Sequence, residues 1–227
     1  MKQDDLILRV ERLEAAQACR NLMGKYSYYH TAFRNREYIE LWAKRNDCLL
    51  IMPWGSYKGF EGVKACYLDD HGDRNDPETY ERIRGSLMMH QMDTEVLEVA
   101  ADGKTARGAW ISPGHETYIS KDTSRIKSKA ETGTPVCEWA WSKYAVDFIK
   151  DEDGQWKFWH MRLYPLFKAE YHTPWTEYPQ PQPEEDWAFT TGDSLQSKPW
   201  QWSPTAVYPA SEPEPPLPYD VYDKPLM

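Results

Sequence analysis

The chain has 227 residues and a formal net charge of −9, with 41% hydrophobic and 28% charged residues, a length that fits one large domain or one domain plus an appendage. Residues 172–227 hold nine Asp/Glu and two Lys, so the body before them is nearly neutral and lacks the basic footprint of a nucleic-acid binder. No apolar run approaches the roughly 18 residues of a membrane span, which excludes a helical membrane protein.

Asp4 and Asp5 cap a helix from about Leu6, where Leu6, Val10, Leu13 and Gln17 keep helical spacing. The pattern runs through Leu22, Met23 and Tyr26 to about Thr31. A shorter helix is predicted over 37–44, with Tyr38, Leu41 and Trp42 on its apolar side. The apolar run 48–52, ended by Pro53, reads as a strand, and a third helix is predicted over 61–68. Residues 69–77 are polar and read as a loop. From Leu87 the period changes to two. Strands are predicted over 87–99, 104–119, 136–150 and 155–167, with turns at Asp102-Gly103 and Asp153-Gly154 and a bulge near Pro113-Gly114. Residues 120–133 form a polar, basic loop. Helices gathered before a largely antiparallel sheet predict an α+β fold, a cone-shaped curved sheet packed on three N-terminal helices. Trp110 is expected on the outer face of that sheet.

Residues 1–171 thus form the folded domain and 172–227 a tail with 12 of the 17 prolines. Such a tail is ordinarily disordered. This one carries Trp175, Trp187, Phe189, Trp200, Trp202, Tyr219 and Tyr222, so it reads as an extended strap on its own body or on a neighbouring subunit. The alternative is a loose partner-binding tail.

Cys19, Cys48, Cys66 and Cys137 are far apart, which fits reduced structural thiols in a cytoplasmic chain, and Met1-Lys2-Gln3-Asp4-Asp5 does not begin a signal peptide. Neither H-E-x-x-H spacing nor a Gly-rich phosphate loop occurs, so no metal and no cofactor is expected. Histidine is the usual acid–base group near neutral pH. His71 lies in a polar loop and His172 at the tail boundary. His30 shares a helix face with Tyr26, four residues earlier. His90 stands among Leu87, Met88, Met89 and Met92, and His115 lies on the return strand. Two histidines facing a tyrosine in a dry pocket make a proton-transfer constellation, which marks His90, His115, Tyr26 and His30 as catalytic candidates. Lys143, between Trp141 and Tyr144, is either solvent-facing or a pocket lysine holding an oxyanion. Trp139 and Trp141 share strand parity and suit either a flat aromatic ligand or a subunit contact. Trp54, Tyr57, Met88 and Met92 complete the expected substrate lining.

The order of elements resembles the nuclear-transport-factor-2-like superfamily, in its SnoaL-like branch. The matching pieces are Leu22-Met23-Gly24-Lys25-Tyr26, the Tyr57-x-Gly59-x-Glu61-Gly62 turn, and Asp153-Gly154-Gln155-Trp156-Lys157-Phe158. They span about residues 5–168. Within that branch the chain is similar to scytalone dehydratase, which has two pocket histidines 25 residues apart, as His90 and His115 are here. Tyr26 matches the tyrosine of the bile-acid dehydratases, and His30 falls where scytalone dehydratase has its tyrosine. The aspartate of those enzymes falls near Thr31, so the carboxylate that should orient a histidine is missing. The dehydratase's pocket amide and serine fall at Ala145 and Lys143. The aromatic-rich chain with its Pro/Trp tail also looks like the diarylpropane lyases of lignin breakdown. That resemblance implies a cofactor-independent lyase that removes water and formaldehyde from a phenolic diaryl propanediol to give a stilbene. The alternatives are a dehydratase of a phenolic or keto alcohol and a non-catalytic binding or scaffold module. The resemblance implies a homo-oligomer, a trimer as in the dehydratases or a dimer.

Overall fold

A computed structural model describes residues 3–119, 133–177, 202, 204, 207 and 212–227. Helix α1 (Gln3–Thr31) leads to α2 (Asn35–Ile39), β1 (Leu49–Met52), β2 (Gly55–Lys58), α3 (Gly59–Lys64), a π-helix (Ala65–Asp70) and α4 (Pro77–Arg82). Strands β3 (Leu87–His90), β4 (Asp93–Val99), β5 (Thr105–Ser112), β6 (Gly114–Ile119), β7 (Pro135–Lys150) and β8 (Trp156–Glu170) follow. The eight strands form one sheet ordered β2-β1-β8-β7-β5-β4, with β6 beside the start of β7 and β3 beside β6. The β1–β8 pair is parallel and the remaining pairs antiparallel, so the sheet is mixed. This is the expected α+β class, an open curved sheet against the N-terminal helix. No helix among the described residues is long and apolar enough to cross a membrane.

Helix α1 buries Ala15, Cys19, Leu22, Met23, Tyr26 and His30, a stripe at three- and four-residue spacing. Leu6, Val10 and Leu13 lie before that stripe and stand exposed. The second helix stops at Ile39 instead of residue 44. Beyond it the backbone pairs with β8: Phe158 N–H donates to Leu41 O at 2.9 Å, and Ala43 N–H donates to Phe158 O at 2.9 Å. The third helix passes into the π-helix in place of ending at residue 68. The two long strands predicted over 87–119 are four shorter ones. Pro113 has no N–H for a ladder and separates β5 from β6. Opposite it, Gln91 and Met92 separate β3 from β4, and Thr94 takes a φ of 46°. The break frees β3 to lean on α1, where Ser27 Oγ donates to His90 O at 2.6 Å.

The register of β7 decides what faces inward. Tyr144 meets α1 through Tyr26, so Glu138, Ala140 and Ser142 share the inner face. Trp139, Trp141, Lys143 and Asp147 therefore face outward. Trp110, paired with Tyr144, is on the inner face at 3% exposure and packs on Phe148, which corrects its expected outward position.

Residues 212–227 lie on the outer face of their own body. Ala101 N–H donates to Tyr219 O at 2.9 Å and Asp102 N–H to Asp220 O at 3.2 Å. Arg107 pairs with Asp223 at 2.5 Å and sits over the rings of Tyr219 and Tyr222. Further along the tail, Trp202 N–H donates to Leu166 O at 3.1 Å. The expected loop at 120–132 and the part of the tail with Trp187, Phe189 and Trp200 lie outside the described residues.

Candidate active site

On the inner face, α1, the π-helix, β3 and β7 bring a set of rings together. Tyr26 OH and Tyr144 OH are hydrogen-bonded at 2.9 Å. Tyr26 stacks on His30 with centroids 5.5 Å apart, and His30 lies 5.4 Å from His90 and 6.0 Å from His71. His71 stacks on Tyr67 at 5.3 Å and lies 5.7 Å from Trp54. Trp54 Nε1 donates to Tyr57 OH at 2.9 Å, and Tyr57 OH donates to Asp70 Oδ2 at 2.7 Å. Burial pushes the Tyr26 phenol up to about 12 and the Tyr144 phenol well above its ordinary value, so both are neutral donors at physiological pH.

A charged network adjoins these rings. His90 Nε2 is 3.4 Å from Glu116 Oε1. Glu116 pairs with Lys168 at 2.7 Å, Lys168 with Glu138 at 2.8 Å, and Tyr118 OH donates to Glu138 at 3.1 Å. Burial favours a protonated Glu116, but Lys168 and His90 outweigh it and hold the carboxyl well below its ordinary range. At Glu138 burial prevails over Lys168 and the carboxyl is raised. Burial opposes the charge on Lys168, but the two carboxylates outweigh it and raise its ammonium above its usual value. His90 is 7% exposed, and its Nδ1 has no hydrogen-bond partner among the described residues; nor has the fully buried Ser112 Oγ. Gly114 makes room for the imidazole: a Cβ there would come 2.8 Å from His90 Nδ1 and 2.1 Å from Ala140 O.

The structure brings Tyr26, His30, His90, Trp54 and Tyr57 to this inner side, with Met88 in register with Glu116 and Met92 packed on the core. It does not bring His115 to them. His115 alternates with Glu116, so it points to the other face, where its ring lies 4.9 Å from Trp139. The 25-residue spacing ignored the break at Pro113, where His90 pairs with Gly114 and Met89 with His115. Trp139, Trp141 and Lys143 are likewise outside the inner cluster. Trp139 stacks on Tyr171 at 5.4 Å and Trp141 on Phe167 at 5.7 Å, and Lys143 Nζ donates to Glu212 O at 3.2 Å. The inner-face lysine is Lys168. No carboxylate stands at Thr31, but Glu116 on β6 lies 3.4 Å from His90. Strand parity read from Gly114 would have found Glu116, but nothing in the sequence draws His71 or Asp70 inward. Among the described residues no group of three or more His, Cys, Asp or Glu is arranged to hold a metal ion.

No curated protein matches the chain significantly in sequence. A protein provisionally named scytalone dehydratase from Novosphingobium aromaticivorans DSM 12444 is similar in structure, with 16% identity, a TM-score of 0.52, and coverage of 73% of this chain and 93% of that one. Hexachlorocyclohexane dehydrochlorinase LinA-type3 from Novosphingobium barchaimii LL02 has 15% identity and a TM-score of 0.50, covering 76% of this chain and 99% of that one. These likenesses concern the fold. The model of the SnoaL-like domain matches residues 11–162, most of the chain, and the chain belongs to the SnoaL-like domain family.

Proposed function

We propose that the chain is a cofactor-independent lyase acting on a phenolic 1,2-diaryl-1,3-propanediol, releasing water and formaldehyde to leave a stilbene. The observation that carries this reading is a row of groups, with Glu116 3.4 Å from His90, His30 next to His90, and the bonded phenols of Tyr26 and Tyr144 beyond His30. An imidazole held 3.4 Å from a carboxylate is oriented by it, which suits a group that delivers a proton to a leaving hydroxyl. The two neutral phenols at the end of that row can donate to the oxyanion that a phenolic substrate develops. The rings of Trp54 and Tyr67 beside His71 suit contact with aryl rings. Relatives in fold named as a dehydratase and a dehydrochlorinase carry names of eliminations, the same class of step.

The chemistry proceeds in two stages. The phenol loses its proton, its electrons expel the benzylic hydroxyl protonated by His90, and a quinone methide and water result. The terminal hydroxyl then loses its proton, and the bond between its carbon and the central carbon breaks. That electron pair forms the new double bond and restores the aromatic ring, and formaldehyde leaves. The second reading is a dehydratase that stops after water loss, for which His90 and Glu116 suffice. Incubating purified protein with the diol separates the two. Stoichiometric formaldehyde and stilbene are expected. Water loss without formaldehyde establishes the dehydratase, and no turnover refutes both.

A further inference from the structure

We propose that His71 is the second proton-transfer residue of this site, taking the proton of the terminal hydroxyl as the carbon–carbon bond breaks. The inference rests on the lyase reading above. Spacing in the sequence gave that place to His115, which lies on the opposite face of the sheet.

Three observations carry it. First, His71 and His90 both neighbour His30, at 6.0 Å and 5.4 Å from its ring, so the three imidazoles form one continuous group and His71 belongs to the same site as His90. Second, the tautomer is fixed. Nδ1 of His71 lies 2.7 Å from Cys66 O, a carbonyl that can only accept, so Nδ1 carries the hydrogen and Nε2 is the basic nitrogen of the neutral ring. Third, the segment is held far more firmly than a polar surface loop. It follows the π-helix, a conformation that is rare and concentrated at functional sites. The fully buried Asn35 donates to Gly72 O at 2.6 Å. The fully buried Asp73 accepts from Arg36 N–H and Asn75 N–H, each at 2.9 Å. Arg82 donates to His71 O. Gly72 has a φ of +77°, and a Cβ there would meet Thr79 Oγ1 at 2.2 Å, so the chain after His71 turns in a way that glycine alone accommodates. Two buried polar side chains devoted to one short turn fix where the imidazole stands.

The step balances. Nε2 of His71 accepts the hydroxyl proton, formaldehyde departs, and the electron pair of the broken bond makes the stilbene double bond and returns the quinone methide to phenolate. That phenolate takes the proton back from His71, and the proton first lost from the phenol recharges His90.

The test is the His71→Asn enzyme with the phenolic diol and a small thiol present to trap quinone methide. The asparagine amide can still donate to Cys66 O but cannot take a proton. Formaldehyde release should fall at least about 100-fold, while the diol is still consumed and the thioether adduct accumulates. His115→Asn should leave the partition between stilbene and thioether unchanged. Formaldehyde at the wild-type rate from His71→Asn overturns the assignment. Equal loss of diol consumption and formaldehyde, with an unchanged melting temperature, also overturns it. A His71→Asn chain that does not fold is replaced by His71→Gln, read the same way. Wild-type protein that releases no formaldehyde overturns the lyase reading, and the His71 assignment with it.

Discussion

The outer-face clasp between the tail and the sheet gives a stability prediction with a magnitude. Asp147 is fully buried, and its carboxylate is held by His160 Nδ1 at 2.9 Å, Tyr222 OH at 3.2 Å and Leu226 N–H at 3.3 Å. Arg107 Nε stands 3.9 Å away, and the same guanidinium lies over Tyr222 at 5.2 Å. Replacing Tyr222 with Phe keeps the ring over Arg107 and removes one hydrogen bond to a buried charge. Such a bond contributes about 1.5–3 kcal/mol net. For a chain of this size each kcal/mol moves the melting temperature by about 2–4 °C. The Tyr222→Phe protein should therefore melt roughly 3–12 °C below wild type in a calorimetric scan. A chain ending at residue 211 loses the Leu226 donor as well and should fall further. A Tyr222→Phe melting temperature within about 1 °C of wild type would refute the clasp, because the lost bond would then have been worth less than the low end of that range.

Four further outcomes follow from the inner face. In Gly114→Ala the new methyl would lie 2.1 Å from Ala140 O, so β6 must shift; we expect about 1–3 kcal/mol lost in urea unfolding, and formaldehyde release lost as His90 is displaced. The Tyr26 phenol is raised to about 12 by burial, whereas in the unfolded chain it titrates near 10. Above about pH 10 the unfolded state thus sheds a proton that the folded state keeps, and stability falls by up to about 1.4 kcal/mol per pH unit from this group until its folded value is passed. Urea midpoints between pH 8 and 11 should show the decline, reduced in Tyr26→Phe. Lys168→Met alone should cost about 3–5 kcal/mol by stranding two buried carboxylates. The combined variant Glu116→Leu, Glu138→Leu and Lys168→Met should be as stable as wild type, or more so by about 1–4 kcal/mol, yet inactive.

Much of the fold was legible because its signals are local. The helical stripe ending in Tyr26 and His30, the turns at Gly103 and Gly154 with φ of +71° and +77°, and the disruption at Pro113 are written in short spans of sequence. The site was half legible. Tyr26, His30 and His90 meet because a helix face and a strand end determine where they point. Spacing from His90 points to His115, and Trp139, Trp141 and Lys143 read as lining because they are large or polar residues on a strand that alternates. Alternation identifies which residues share a face and is silent on which face is the inner one. In an open sheet with one wet side the apolar face would settle it. Here the outer face is covered as well, by the tail and by rings such as Tyr171 and Phe167, so both faces carry aromatics. The cover comes from residues far along the chain, a long-range fact that no strand records.

Two buried charge clusters on opposite faces of one sheet differ in kind, and the difference bears on function. Around Asp147 each carboxylate oxygen has a donor: His160, Tyr222 and the Leu226 amide converge on it. A buried charge so fully met is a fastening, and here it ties the end of the chain to the sheet. Unpaired buried atoms occur on both faces among the described residues, Arg107 Nε beside Asp147 included, but on the inner face they gather about an imidazole and a shared lysine. His90 Nδ1 and Ser112 Oγ are buried without a partner among the described residues, and Lys168 is shared between two carboxylates of which Glu138 is pushed toward its neutral form. A buried polar atom left unpaired costs roughly 1–3 kcal/mol. Apolar replacements of similar size would do as well or better for stability. A fold selected for stability alone has no use for such a patch beside three imidazoles and two bonded phenols. On the function proposed above, the hydroxyls of a substrate would partner the atoms left unpaired among the described residues.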